Sequence, residues 1–185
     1  MGADESALEL ITRYVQYGYG SAEIERIVTN DVFDGKAPSQ RLRSWIKAAV
    51  SAQRDEQESW PTVTDCDRLD RAFTALRASH ILAIHDAGYT LSDGITEVTE
   101  QYLAAGGKVS PIVGYCFYHS QDMDHALLYH KFGLAYGDIQ GEDRRGVEVG
   151  QRVRVALEMA GLAVEWSGSI EVKMDITPFQ WQRRV

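Results

Sequence analysis

An apolar, aromatic run, Gly114-Tyr-Cys-Phe-Tyr, ends abruptly in His119, with Gln121 and Asp122 just beyond it. An imidazole beside a carboxylate is the raw material of general acid–base catalysis, and the same two donors suit a divalent metal. A second apolar run, Ile81-Leu-Ala-Ile84, ends in His85-Asp86. If the two runs are neighbouring parallel strands, His85 and His119 reach one edge of a sheet, where Asp93 and Asp122 can join them. His85, His119 and Asp122 are then the candidate metal ligands, and a divalent metal is the one cofactor the residues suggest. The bland alternative is a pair of hydrogen-bonded histidines at strand ends. No two of the five histidines have the i, i+4 spacing of a helical metal site.

Cys66 is a further catalytic candidate beside His85, His119 and Asp122. It falls near an expected helix start, which lowers a thiol's pKa, and a histidine could act as its base. No protease signature surrounds it. Asp65, Asp67 and Asp70 are explained by the preference of acids for a first helical turn. Between the expected strand at 81–84 and the next helix, residues 87–94 form a loop of the kind that offers backbone N–H groups to an anion, without a lysine nearby. Ligands of α/β sheets favour the carboxyl ends of strands. That expectation gathers Tyr89, Asp93, His119, Gln121, Asp122, Tyr136 and Asp138 as the ligand-binding set of a cleft.

These side chains need elements to hold them. Residues 1–59 read as an N-terminal helical segment. Leu8, Ile11 and Val15 recur at helical spacing, Gly18 and Gly20 punctuate, Ser21 and Ser39 are N-cap candidates, and Leu42, Ile46 and Val50 mark a third helix. Residues 60–185 read as a mixed α/β domain. A helix follows Thr64, strands fall at 81–84, 112–118 and 132–136, and helices follow at 93–103, 122–129 and 143–160. Leu162–Trp166 and Ile170–Lys173 flank Ser167-Gly-Ser, which reads as a hairpin, and 179–183 as a last edge strand. Strands separated by single helices argue for an α/β layer. The fold class is therefore α/β, a mixed sheet packed with helices behind an N-terminal helical segment.

Four motifs occur in order: Trp60-Pro-Thr-Val-Thr-Asp-Cys-Asp-Arg-Leu-Asp70, Gly114 to Asp122, Leu134-Ala-Tyr-Gly137, and Ala160-Gly-Leu-Ala-Val-Glu-Trp-Ser-Gly-Ser169. Together they resemble an uncharacterised bacterial family classified only as a domain of unknown function. The resemblance implies no activity. Its pattern carries a Cys-Cys-x-x-Cys-Gly run after the strand matching Ile81–Ile84. This chain has His85 to Gly94 there, so a zinc site at those cysteines is not carried over.

The formal net charge of −8 argues against nucleic acid, whose binders present a basic face to phosphate. It suits a protein partner with a basic surface. Two well-separated cysteines imply no disulfide framework and point to a reducing, cytoplasmic setting. No apolar run approaches the roughly 20 residues that span a bilayer. Met1-Gly2 with Ser6 has the myristoylation spacing, but the flank is acidic. With no assembled catalytic motif, the expectation is a non-enzymatic binding or regulatory, immunity-type protein acting on another protein. The alternative is a small hydrolase or metal-assisted enzyme with a His/Asp cluster at the strand ends. Oligomeric state is not legible in the sequence.

Overall fold

The computed structural model describes residues 3–185; Met1 and Gly2, on which the myristoylation spacing falls, lie outside the described residues. The described chain divides into two compact units, one running to Thr64 and including Gln182–Val185, the other Asp65–Trp181.

The first unit is helical: α1 (Ala3–Tyr17), α2 (Ser21–Asp31) and α3 (Gln40–Gln57). Ile11, Ile24, Val28, Leu42, Ile46 and Val50 form its buried core. Their i, i+4 spacing puts one apolar stripe of each helix inward. Ser39 caps α3, its Oγ accepting from the Leu42 N–H at 3.3 Å, which satisfies a donor that the helix start leaves without a partner. Gly18 ends α1 with φ +95°, and a Cβ there would also press on Arg183, 2.8 Å away.

The second unit contains α4 (Asp65–Ala78), β1 (Ile81–Ile84), α5 (Leu91–Ala104), β2 (Gly114–Phe117), α6 (Ser120–Tyr129), β3 (Phe132–Asp138), α7 (Asp143–Met159), β4 (Val164–Glu165) and β5 (Met174–Ile176). Its sheet has the order β1-β2-β3-β5-β4. Only β1 and β2 run parallel; β2–β3, β3–β5 and β5–β4 are antiparallel. The fold is thus α/β with a mixed sheet and N-terminal helices.

Strand alternation divides the side chains between two faces. Cys116, Tyr118, Phe132 and Tyr136 face α4 and α7. Phe73 of α4 packs near Tyr118, and a Cβ on Gly114 would run into Val149 of α7. Tyr115, Phe117 and His119 take the other face, where Phe117 is packed so closely under Gly94 of α5 that no Cβ fits there. Ile84, Ala87, Val98, Phe117 and Ala135 form the core of this side.

Several elements differ from their sequence-based expectation, α6 among them, which begins at Ser120 rather than Asp122. The strand pairing with β4 is Met174–Ile176 rather than Ile170–Lys173. Residues 166–173 instead form a longer loop, turned by serines: the Ser169 N–H donates to Ser167 Oγ at 3.3 Å and the Glu171 N–H to Ser169 Oγ at 3.2 Å. Such serines offer the backbone a local partner in place of a ladder. The tail expected as an edge strand is irregular; it is held by side chains, with Phe179 stacked on Phe132 at 4.7 Å and Trp181 beside them. The start of α5 lies earlier than expected, because Thr90 is the N-cap. Its Oγ1 accepts from the Asp93 N–H at 3.3 Å while the Asp93 carboxylate accepts from the Thr90 N–H at 2.8 Å, a reciprocal box closing two orphan donors.

Candidate functional site

The segment after β2 builds the site from its backbone upward. His119 leaves the strand extended and is the N-cap of α6. Asp122, in the first turn, accepts the His119 backbone N–H at 3.1 Å. The helix start thus fixes the carboxylate directly beneath the imidazole, and both groups are buried, 4% and 7% exposed. The neighbouring loop is tied down as well. Ser120 Oγ donates to Asp86 Oδ1 at 2.9 Å, and the Ser120 N–H to the Gly88 carbonyl at 3.0 Å.

The third member comes from far along the chain. Lys173 closes the loop before β5, and its Nζ lies 2.7 Å from each oxygen of Asp122 and 2.8 Å from His119 Nε2. An ammonium has three N–H donors and no acceptor, so these three acceptors satisfy it. It follows that Nε2 is the unprotonated nitrogen and the ring proton sits on Nδ1. Nδ1 is 3.2 Å from Asp122 Oδ2, yet the approach is too bent for a hydrogen bond and Nδ1 is left buried without one. Gly133 on β3 makes room for the cluster. A Cβ there would stand 3.1 Å from Asp122 Oδ1 and 3.3 Å from Lys173 Cδ.

Burial is the largest influence on His119 and pushes its pKa below 6.5; the Asp122 charge opposes this, and the Lys173 charge reinforces it. A neutral imidazole at neutral pH agrees with the hydrogen-bond assignment. The cluster forms one wall of a cleft of about 430 Å³, completed by Gln121, His125, Lys131 and Asp175. Lys131 and Asp175 pair at 2.9 Å across its mouth.

His85 lies elsewhere. The register pairs Ile84 with Phe117, so His85 stands level with Tyr118, one residue short of His119. The two-residue period then sends the two imidazoles to opposite sides of the sheet. His85 Nδ1 is 3.1 Å from the Tyr118 hydroxyl, its ring stacks on Phe73 at 4.5 Å, and its Nε2 is 3.5 Å from Asp70. His85, His119 and Asp122 are therefore not gathered around a common point. The place a metal would take between His119 and Asp122 holds the Lys173 ammonium. Among the described residues no group of three His, Cys, Asp or Glu side chains is arranged to hold a metal. Cys66 is buried in α4. Cys116 is fully buried and its thiol is pushed up to about 12, an inert packing residue.

The other expected ligand contacts divide by strand direction. Because β3 runs antiparallel to β2, Asp138 pairs with Gly114 and Tyr136 with Cys116. Asp138 therefore belongs to the opposite rim of the sheet from His119, and Tyr136 faces α7. The Tyr136 hydroxyl donates to the Ser169 carbonyl at 2.5 Å and accepts from Trp166 Nε1 at 2.6 Å. Asp93 is held in its capping box, whose hydrogen bonds from Thr90 lower its pKa. Tyr89 is half exposed beside it. Gln121 and Asp122 do line the His119 cleft.

Lys173 and Lys131 were not legible as site residues. Glu171 and Lys173 alternate with apolar neighbours like the solvated face of a hairpin. Gly133 carried the one local signal, since a glycine inside an apolar strand marks a close approach.

A family model described as a domain of unknown function (DUF6891) matches residues 3–185, and the chain belongs to that family. No curated protein and no solved structure matches it.

Proposed function

Taking membership of a family with no assigned activity as the premise, we propose that this chain is a small acid–base enzyme of hydrolase type, acting on a polar substrate in the His119 cleft. One observation carries the reading: a lysine clasped between a buried carboxylate and a buried neutral imidazole, on the wall of an open cleft. Buried ionisable groups are costly and cluster at functional sites. A substrate carbonyl oxygen would take the Lys173 hydrogen bond that His119 Nε2 now accepts. The freed Nε2 lone pair would then accept a proton from the substrate or from an attacking water. Asp122 would hold both partners and balance the positive charge that develops on the ring.

The test is a panel of chromogenic esters, amides and phosphate esters, assayed with wild type, His119→Gln and Lys173→Met. Turnover of one class is expected, lost in both variants, with the rate falling as pH drops through the lowered His119 pKa. Turnover that survives His119→Gln, or none by the wild type with any class, would remove the reading.

A second reading is a non-enzymatic, immunity-type role on a basic protein partner. Exposed Leu91, Ile95 and Val172 favour it, since they line a shallow recess that Lys173 also borders. Co-purification of a defined partner, lost in Leu91→Glu with Val172→Glu and kept in His119→Ala, would support this role over the enzymatic one.

A further inference from the structure

The opposite rim of the same sheet holds a second cleft, of about 400 Å³, built from residues that the acid–base reading does not use. Three cations line it. Lys108 comes from the short 3-10 turn Gly107–Val109 that follows α5, and Arg145 and Arg152 come from α7. Arg145, Val149 and Arg152 lie at i, i+4 and i+7, so a single face of α7 presents them. Arg152 is positioned by a hydrogen bond from its Nη2 to the Ser79 carbonyl, 2.5 Å away, which leaves other guanidinium donors open. Lys108 is exposed and makes no ion pair among the described residues.

Arg145 Nε pairs with Glu142 Oε2 at 3.1 Å, an exposed ion pair of the kind worth little and open to exchange for an anion. Asp138 is buried, and its Oδ2 accepts the backbone N–H groups of Gln140 at 2.8 Å and Glu142 at 3.1 Å, so it serves the turn before α7. Glu148 is largely solvated and sits 3.6 Å from Arg144. In a chain of formal net charge −8, three cations converge on one cleft whose lining also includes Asp138 and Glu148. Its floor is apolar, from Ile112 and Val149, and the Tyr102 hydroxyl, which accepts from Gln140 Nε2 at 3.1 Å, stands on its wall. A few convergent polar groups over an apolar floor are the usual make-up of a small-molecule site.

We infer that this cleft binds a small molecule carrying a phosphate group on an apolar body. The phosphate is held by Lys108, Arg145 and Arg152, and the body lies on Ile112 and Val149. Arginine suits a phosphate because its planar donors engage two oxygens at once. The site stands apart from the His119 cleft and does not depend on its chemistry.

The experiment is titration calorimetry of the full chain with phenyl phosphate and with inorganic phosphate, at low and at physiological salt. Phenyl phosphate is expected to bind about tenfold more tightly than inorganic phosphate, since one buried ring outweighs that factor. Affinity should fall with salt. The surface pair Lys108→Met with Arg145→Met should weaken it at least about tenfold, while the exposed Lys131→Met at the other rim leaves it unchanged. No binding of either probe to a folded wild type would overturn the inference. So would affinity unchanged in the Lys108/Arg145 pair, or affinity lost in Lys131→Met. Equal affinity for the two probes would overturn the apolar half of the site.

Discussion

The two rims of the sheet use the same side-chain types to opposite ends. At the His119 rim, a buried aspartate and histidine share one partly buried lysine, Lys173, and the three consume one another's hydrogen bonds. At the Asp138 rim the acid is tied to its own backbone turn, Lys108 stands open to solvent, and Arg145 makes only an exposed pair with Glu142. The difference lies in burial. A charge withdrawn from water must be paired, and its proton affinity then becomes sensitive to its neighbours. A charge left in water keeps its ordinary protonation and offers long-range attraction, weakened by salt. The first rim is suited to moving protons and the second to holding an anion.

The contrast predicts unequal costs for the same substitution. Lys173→Met leaves a buried carboxylate without its cation and should destabilise the second unit by about 3 kcal/mol, the low end for a broken buried pair, because Lys173 keeps 28% of its side chain exposed. Lys108→Met on the other rim should stay within about 0.5 kcal/mol of wild type. Urea denaturation of the two variants checks this, and equal costs would erase the distinction.

Gly133→Val should come next, at about 1–3 kcal/mol, because its side chain enters the space between Asp122 and Lys173. Thermal unfolding measures the loss. An unchanged midpoint would mean that the cluster is looser than its distances indicate.

The pH effect is smaller. His119 has its pKa lowered on folding, so below pH 6.5 the unfolded chain takes up a proton that the folded chain refuses. Stability is fully present above that value and falls as pH drops toward the lowered folded pKa. Asp122, Lys173 and Asp93 are the charges acting on the ring. The slope should be missing in His119→Gln, compared by denaturation at matched pH values; an identical slope in the variant would assign it to other groups.

Much of this arrangement was legible from local pattern. Ile81–Ile84 is bounded as its apolar run suggested, and Ser39 caps α3 as its position before Leu42 implied. That His119 and Asp122 share one cleft was legible from their place at a strand end, but their pairing through the helix start was not, because the helix was expected to begin at Asp122 and begins at Ser120. Lys173 was not, because its role depends on which strand β5 joins. Nor was the separation of Asp138 from His119, which turns on the direction of β3 alone.

The amino-acid sequence by itself determined most of the element types, the α/β class with a mixed sheet and N-terminal helices, and the polar stop at His119. Those follow from periodicity and capping, whose physics acts within a few residues. The tertiary structure alone decided that His85 and His119 part company, that an ammonium stands between imidazole and carboxylate, and that charge divides unequally between the two rims. Strand order and register set these, and both are chosen by packing between residues distant in the chain.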